Sequence, residues 1–126
     1  MFAYIEYIPL FSKDKPKWSS CSSLEFQNNG LDDRRFISCV FDVRYDNILP
    51  LVPRREWPRN ISYDGFDTLY LATNWLTLQE INIAFEEYSL HALDLDINSQ
   101  LLLLCMNYLL KETQDESSIR AIFGYI

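Results

Sequence analysis

The sequence predicts an α+β fold: an antiparallel or mixed sheet of about three to five strands with two helices packed on one face. Three observations predict it. Apolar, β-branched and aromatic runs open and close the chain at residues 2–9 and 119–126. A capping box at Thr77 introduces a helical period. A second, almost wholly apolar helical segment starts near residue 97. The 126 residues fit one domain spanning 1–126. A chain of that length buries roughly two-thirds of its unfolded surface and folds without staples.

The elements follow in order. Phe2-Ala3-Tyr4-Ile5-Glu6-Tyr7-Ile8-Pro9 reads as a strand stopped by its proline. Residues 12–35 are polar, with a serine-rich stretch at 19–23 and a turn signal at Asn29-Gly30. A short strand is expected near Leu24-Glu25-Phe26. The run 36–43, almost continuously apolar, reads as a strand buried on both faces. Residues 44–74 show no periodicity and read as a long loop, which in a compact domain is more often functional than idle.

Thr77-Leu78-Gln79-Glu80 then forms the capping box. The Thr77 hydroxyl accepts from the Glu80 N–H, and the Glu80 carboxylate accepts from the Thr77 N–H. Leu76 and Ile81 stand where a hydrophobic staple places them. The helix is expected to reach about Leu90, burying Leu78, Ile81, Phe85 and Tyr88 and leaving Glu86 and Glu87 off that stripe. A second helix from Ile97 or Asn98 to Thr113 is apolar nearly all round and should be the more buried of the two. Residues 114–118 form a polar turn before the closing strand.

Composition excludes several classes. A hydrophobic share of 48% and an aromatic share of 15% exclude a disordered chain. Three glycines are too few for a glycine-rich phosphate cradle. A net charge of −7 argues against binding a nucleic-acid backbone and fits solubility, a basic partner or polyanion mimicry. Cys21, Cys39 and Cys105 are odd in number and lack C-x-x-C spacing, which argues against a disulfide framework and for a reducing compartment. The start lacks a basic region and carries Glu6, unlike a secretory signal. The longest apolar run, Leu101 to Met106, falls far short of the roughly 20 residues a membrane span needs. The expected location is cytoplasmic, with no membrane association.

No catalytic, metal or cofactor constellation emerges. His91 is the only histidine and lies near the end of the first helix, where a cation favours the dipole. Asp94 and Asp96 followed by Asn98 resemble a calcium loop only superficially, and capping of the second helix by Asp96 or Asn98 explains them better. The segment 51–60 stands apart. It sets Arg54, Arg55 and Trp57 between prolines, with Arg59 just beyond, inside an acidic protein. Arginine and tryptophan are enriched at binding hot spots, and proline lowers the entropy of the free loop. With Tyr63 just beyond, these five are the expected binding residues. The competing reading is that Trp57 plugs the core edge and the arginines pair with nearby acids.

Several pieces occur together in order: Phe41-Asp42-Val43-Arg44, Pro50-Leu51-Val52-Pro53-Arg54-Arg55, Trp75-Leu76-Thr77-Leu78-Gln79-Glu80-Ile81 and Ile119-Arg120-Ala121-Ile122-Phe123. In this the chain resembles a family of uncharacterised small bacteriophage proteins over residues 34–126. That family shows an LFA-x-LA-x-VR strand, a P-R-G-L-P loop, an H-S-x-S-W-L-T-L-x-E-L helix start and a closing VR-x-VF-x-FDN strand. The chain departs at the histidine-serine pair, replaced by Tyr70 to Asn74, at Arg55-Glu56 for Arg-Gly, and at Gly124-Tyr125-Ile126 for Phe-Asp-Asn. The resemblance implies a phage or prophage origin and no established activity.

The expected function is a non-enzymatic binding protein that inhibits or sequesters a host factor, of anti-defence or anti-CRISPR type, its partner a host protein with a basic surface. Two alternatives stand beside it. One is a sponge for a nucleotide signal, with Arg54, Arg55 and Arg59 on phosphate and Trp57 or Tyr63 stacking on the base. The other is an immunity protein that neutralises a basic nuclease toxin.

Overall fold

Strand β1 (Phe2–Tyr7) and strand β4 (Ile119–Tyr125) lie side by side at the centre of an antiparallel sheet, although they stand at opposite ends of the sequence. Strand β2 (Ser19–Glu25) flanks β1, and strand β3 (Ala72–Thr77) flanks β4, giving the order β2-β1-β4-β3. The computed structural model describes residues 2–10, 17–25, 55, 58, 72–87, 89–91, 95 and 97–125. Helix α1 (Leu78–Glu87) continues directly from β3. Helix α2 (Ile97–Tyr108), a single turn α3 (Leu110–Thr113) and a 3-10 turn (Glu116–Ser118) lead into β4. The fold is α+β, as the sequence predicts.

Residues facing each other on antiparallel neighbours share a face of the sheet. Ala3, Ile5, Leu76, Ala121 and Phe123 line one face and join Leu78, Ile81, Leu102, Leu103 and Met106 of the two helices in a single core. Both helices therefore cover the same face. On the other face Tyr4, Glu6, Arg120 and Ile122 are also buried.

The predicted capping box is present. Glu80 N–H donates to Thr77 Oγ1 at 3.2 Å, and Thr77 N–H donates to Glu80 Oε1 at 3.0 Å. The helix ends earlier than its apolar period suggests, at Glu87 rather than Leu90. Ser89 takes a left-handed conformation (φ 52°), Leu90 N–H reaches back to Phe85 O at 2.9 Å, and Ser89 N–H to Glu86 O at 3.3 Å. This is a Schellman closure, with the buried Leu90 as its apolar latch.

Four expectations need correcting. The strand expected near residue 24 is longer than that, taking in the serine-rich stretch from Ser19 through Leu24 and Glu25. The expected loop ends before 74, because β3 begins at Ala72 and pairs with β4. The second helix breaks at Leu109 instead of running unbroken to Thr113. Its apolar composition does not make it clearly more buried than α1: Ser99, Leu102, Leu103 and Met106 face the core while other apolar positions face water. The expected strand at 36–43, the Asn29-Gly30 turn and nearly all of 44–71 lie outside the described residues. Among the described residues no helix is long and apolar enough to cross a membrane.

Candidate functional site

Of the five expected binding residues, Arg55 alone is described; Arg54, Trp57, Arg59 and Tyr63 lie outside the described residues. Arg55 is half-buried and thoroughly engaged. Its backbone N–H donates to Asn74 Oδ1 at 2.8 Å. Its Nη1 donates to Glu80 Oε1 at 2.7 Å and to the Trp75 carbonyl at 3.1 Å, and its Nη2 pairs with Glu80 Oε2. The guanidinium also sits 4.3 Å from the centre of the Trp75 ring. For this one residue the geometry matches the reading in which the arginines pair with nearby acids. Burial acts to raise the Glu80 carboxyl, but the bonds from Arg55 and Thr77 outweigh it and leave Glu80 below its ordinary value.

Trp75 links this corner to a second cation. Arg120 lies 3.9 Å from the Trp18 ring centre and 5.6 Å from that of Trp75. Its Nε and Nη2 donate to Glu6 Oε1 at 2.9 and 2.7 Å, and both side chains are almost wholly buried. Burial lowers the Arg120 pKa while Glu6 opposes the shift, as expected for a cation held in the interior beside an anion. The sequence reading missed this pair. Its signal was there: Glu6 and Arg120 are the lone charges in their strands. The arrangement ties Trp18, Arg120, Trp75 and Arg55 into a run of alternating rings and guanidiniums whose positive ends are taken up by Glu6 and Glu80. It is a scaffold, with its strongest donors spent internally.

The outward face of α2 is different. Ile97 (66% exposed), Leu101 (42%), Leu104 (68%) and Tyr108 (63%) recur at spacings of four, three and four. That spacing lines them along one side of the helix. Exposed apolar side chains gathered along one side of a helix make the kind of patch that is often functional on a monomer. No charged residue occurs anywhere in α2. Leu101, Leu104, Cys105, Tyr108 and Leu109 form a groove with Cys21 of β2, about 300 Å³ in volume. Lys111 Nζ stands 4.6 Å from the Tyr108 ring centre, steadying the ring at one end of the stripe.

Cys21 reaches this groove because β2 is irregular. Ile5 faces Ser22 while Glu6 faces Ser20, so Cys21 is the extra residue of a β-bulge. A bulge re-aims side chains that strict alternation would send to opposite faces. Here consecutive residues both reach Cys105: Cys21 Sγ lies 3.7 Å and Ser22 Oγ 3.8 Å from its Sγ.

His91 is exposed, and Asp94 and Asp96 lie outside the described residues. Among the described residues no three His, Cys, Asp or Glu side chains converge as metal ligands would. Comparison with protein-family models, with curated proteins and with solved structures finds no match to this chain.

Proposed function

We propose that this chain is a non-enzymatic binding protein that inhibits or sequesters a host factor, and that it docks through the outer face of α2. The exposed stripe Ile97–Leu101–Leu104–Tyr108 carries the reading. Interfaces place an apolar centre, often with a tyrosine, inside a polar rim. The acidic balance adds direction. Arg55 and Arg120 are paired internally, whereas Glu86, Glu87, Glu112 and Asp115 are exposed. Such a surface favours a partner with a basic face, through steering and complementarity. The resemblance to small phage proteins supports a phage or mobile-element origin, and an anti-defence role, of which anti-CRISPR inhibition is one form, is the most specific version. Action in the cytoplasm of the host belongs to the same proposal.

A nucleotide sponge has less support, because the Arg55 donors it would offer to phosphate are already bound to Glu80 and the Trp75 carbonyl. The test compares tagged wild-type protein with Leu104→Asp in capture from host lysate at moderate salt. A stoichiometric protein retained by the wild type and lost by the variant is expected. Equal capture by both, or no stoichiometric protein at all, overturns the reading.

A further inference from the structure

We infer that Cys21 and Cys105 are a reversible disulfide site, joining the β2 bulge to α2 within the wall of the apolar groove. Both cysteines are free in this structure, and their sulfurs stand 3.7 Å apart. A disulfide needs about 2.0 Å, so closure asks for a shift of about 1.7 Å, within reach of side-chain rotation. The juxtaposition is built, not incidental to alternation: without the bulge at Cys21 its side chain would leave the helix-bearing face. The residues differ in access. Cys21 is exposed and Cys105 is half-buried behind it.

That difference assigns the order of events with a hydroperoxide as oxidant. The Cys21 thiolate attacks the peroxide, the O–O bond breaks, and Cys21 becomes a sulfenic acid as an alcohol or water departs. The Cys105 sulfur then attacks the Cys21 sulfur. The S–S bond forms, and the hydroxide leaves with the Cys105 proton as water. Two thiols are oxidised, one peroxide is reduced, and a dithiol reductant reverses the result. Burial and the neighbouring Cys105 thiol push the Cys21 thiol up, so the reaction quickens with rising pH through the thiol range. In a reducing compartment such a bond is transient and regulatory rather than a permanent staple. The bond draws β2 onto α2 and narrows the groove. This last consequence rests on the docking reading above, whereas the bond itself does not.

The experiment treats the full chain with hydrogen peroxide at pH 8 and then alkylates it under denaturing conditions. Alkylated thiols should fall from three to one, a Cys21–Cys105 peptide should appear in a non-reducing digest, and dithiothreitol should restore all three. Because the bond links residues 84 apart, Tm should rise by about 5–10 °C in the oxidised form. Cys21→Ser should abolish the link and the rise while folding normally. Three thiols remaining after peroxide, over-oxidised Cys21 without a link, or a Cys21-linked dimer would each overturn the inference. Partner capture by the oxidised protein separates the two proposals: a confirmed bond with undiminished capture refutes only the narrowing of the docking groove.

Discussion

The Arg55 guanidinium donates to both oxygens of the Glu80 carboxylate, so the residue that closes the N-terminal cap of α1 also holds Arg55. Glu80 therefore serves two interactions that sequence reading treats as separate. Glu80→Gln should cost about 2–3 kcal/mol in urea denaturation, because it weakens the cap and strands a half-buried guanidinium. Thr77→Ala removes only the hydroxyl half of the box and should cost about 1 kcal/mol. The folded Glu80 carboxyl is depressed, so its contribution is full above the ordinary carboxylate value of about 4.3 and is lost as pH falls through the folded value. The stability gap between wild type and Glu80→Gln should accordingly close on acidification. A gap that persists unchanged at pH 2 would contradict the ion-pair account.

Glu6 and Arg120 face each other on the two central strands, in register, and are almost wholly buried. Truncating one partner leaves the other charge in the interior. Glu6→Leu or Arg120→Met should each cost about 3–5 kcal/mol. The double variant Glu6→Leu with Arg120→Met removes both charges and should recover much of that loss, since a buried pair contributes little over an apolar replacement. A double-mutant cycle by urea denaturation measures it, and simple additivity of the two losses would show the pair to be uncoupled.

Legibility in the sequence followed locality. The Thr77 box was readable because its partners lie within four residues, and β1 and β4 were readable because they are rich in apolar, β-branched and aromatic residues with a single charge each. Strand β3 was not, because what makes it a strand is pairing with β4 more than 40 residues on. Its buried Asn74 also reads as a loop residue until its Oδ1 is seen to accept from the Arg55 and Trp75 N–H groups. Strand β2 hid behind its serines, a composition suited to the outer strand of the described sheet and poor in the alternation that signals strands. For α2 the composition could not separate a helix buried all round from one that shows a neutral apolar side to water. Of the five expected binding residues the geometry speaks to Arg55 alone, and the α2 face was not anticipated as a surface.

Ser89 occupies the left-handed position of the Schellman closure without being glycine. A side chain with a Cβ is disfavoured there by roughly 1 kcal/mol. Ser89→Gly should therefore stabilise the domain by about 0.5–1 kcal/mol, measured as a higher urea midpoint with an unchanged slope. Ser89→Val should do the reverse, since a β-branched residue tolerates that region least. A loss of stability in the glycine variant would place the helix end elsewhere than Glu87.

Leu102 and Leu104 stand two positions apart in the same apolar run, and the fold assigns them opposite duties. Leu102 is fully buried against the sheet, whereas Leu104 is mostly in water. Leu102→Ala should cost about 2–5 kcal/mol through lost burial and a cavity. Leu104→Asp should change stability by about 0.5 kcal/mol or less, because it empties no space in the core. The same variant places a charge in the middle of the neutral stripe, so it should lose the captured partner while keeping the wild-type urea midpoint. That divergence distinguishes a docking face from a structural one. If Leu104→Asp instead lowers the midpoint as far as Leu102→Ala, the stripe is part of the fold and its exposure does not reflect a binding surface.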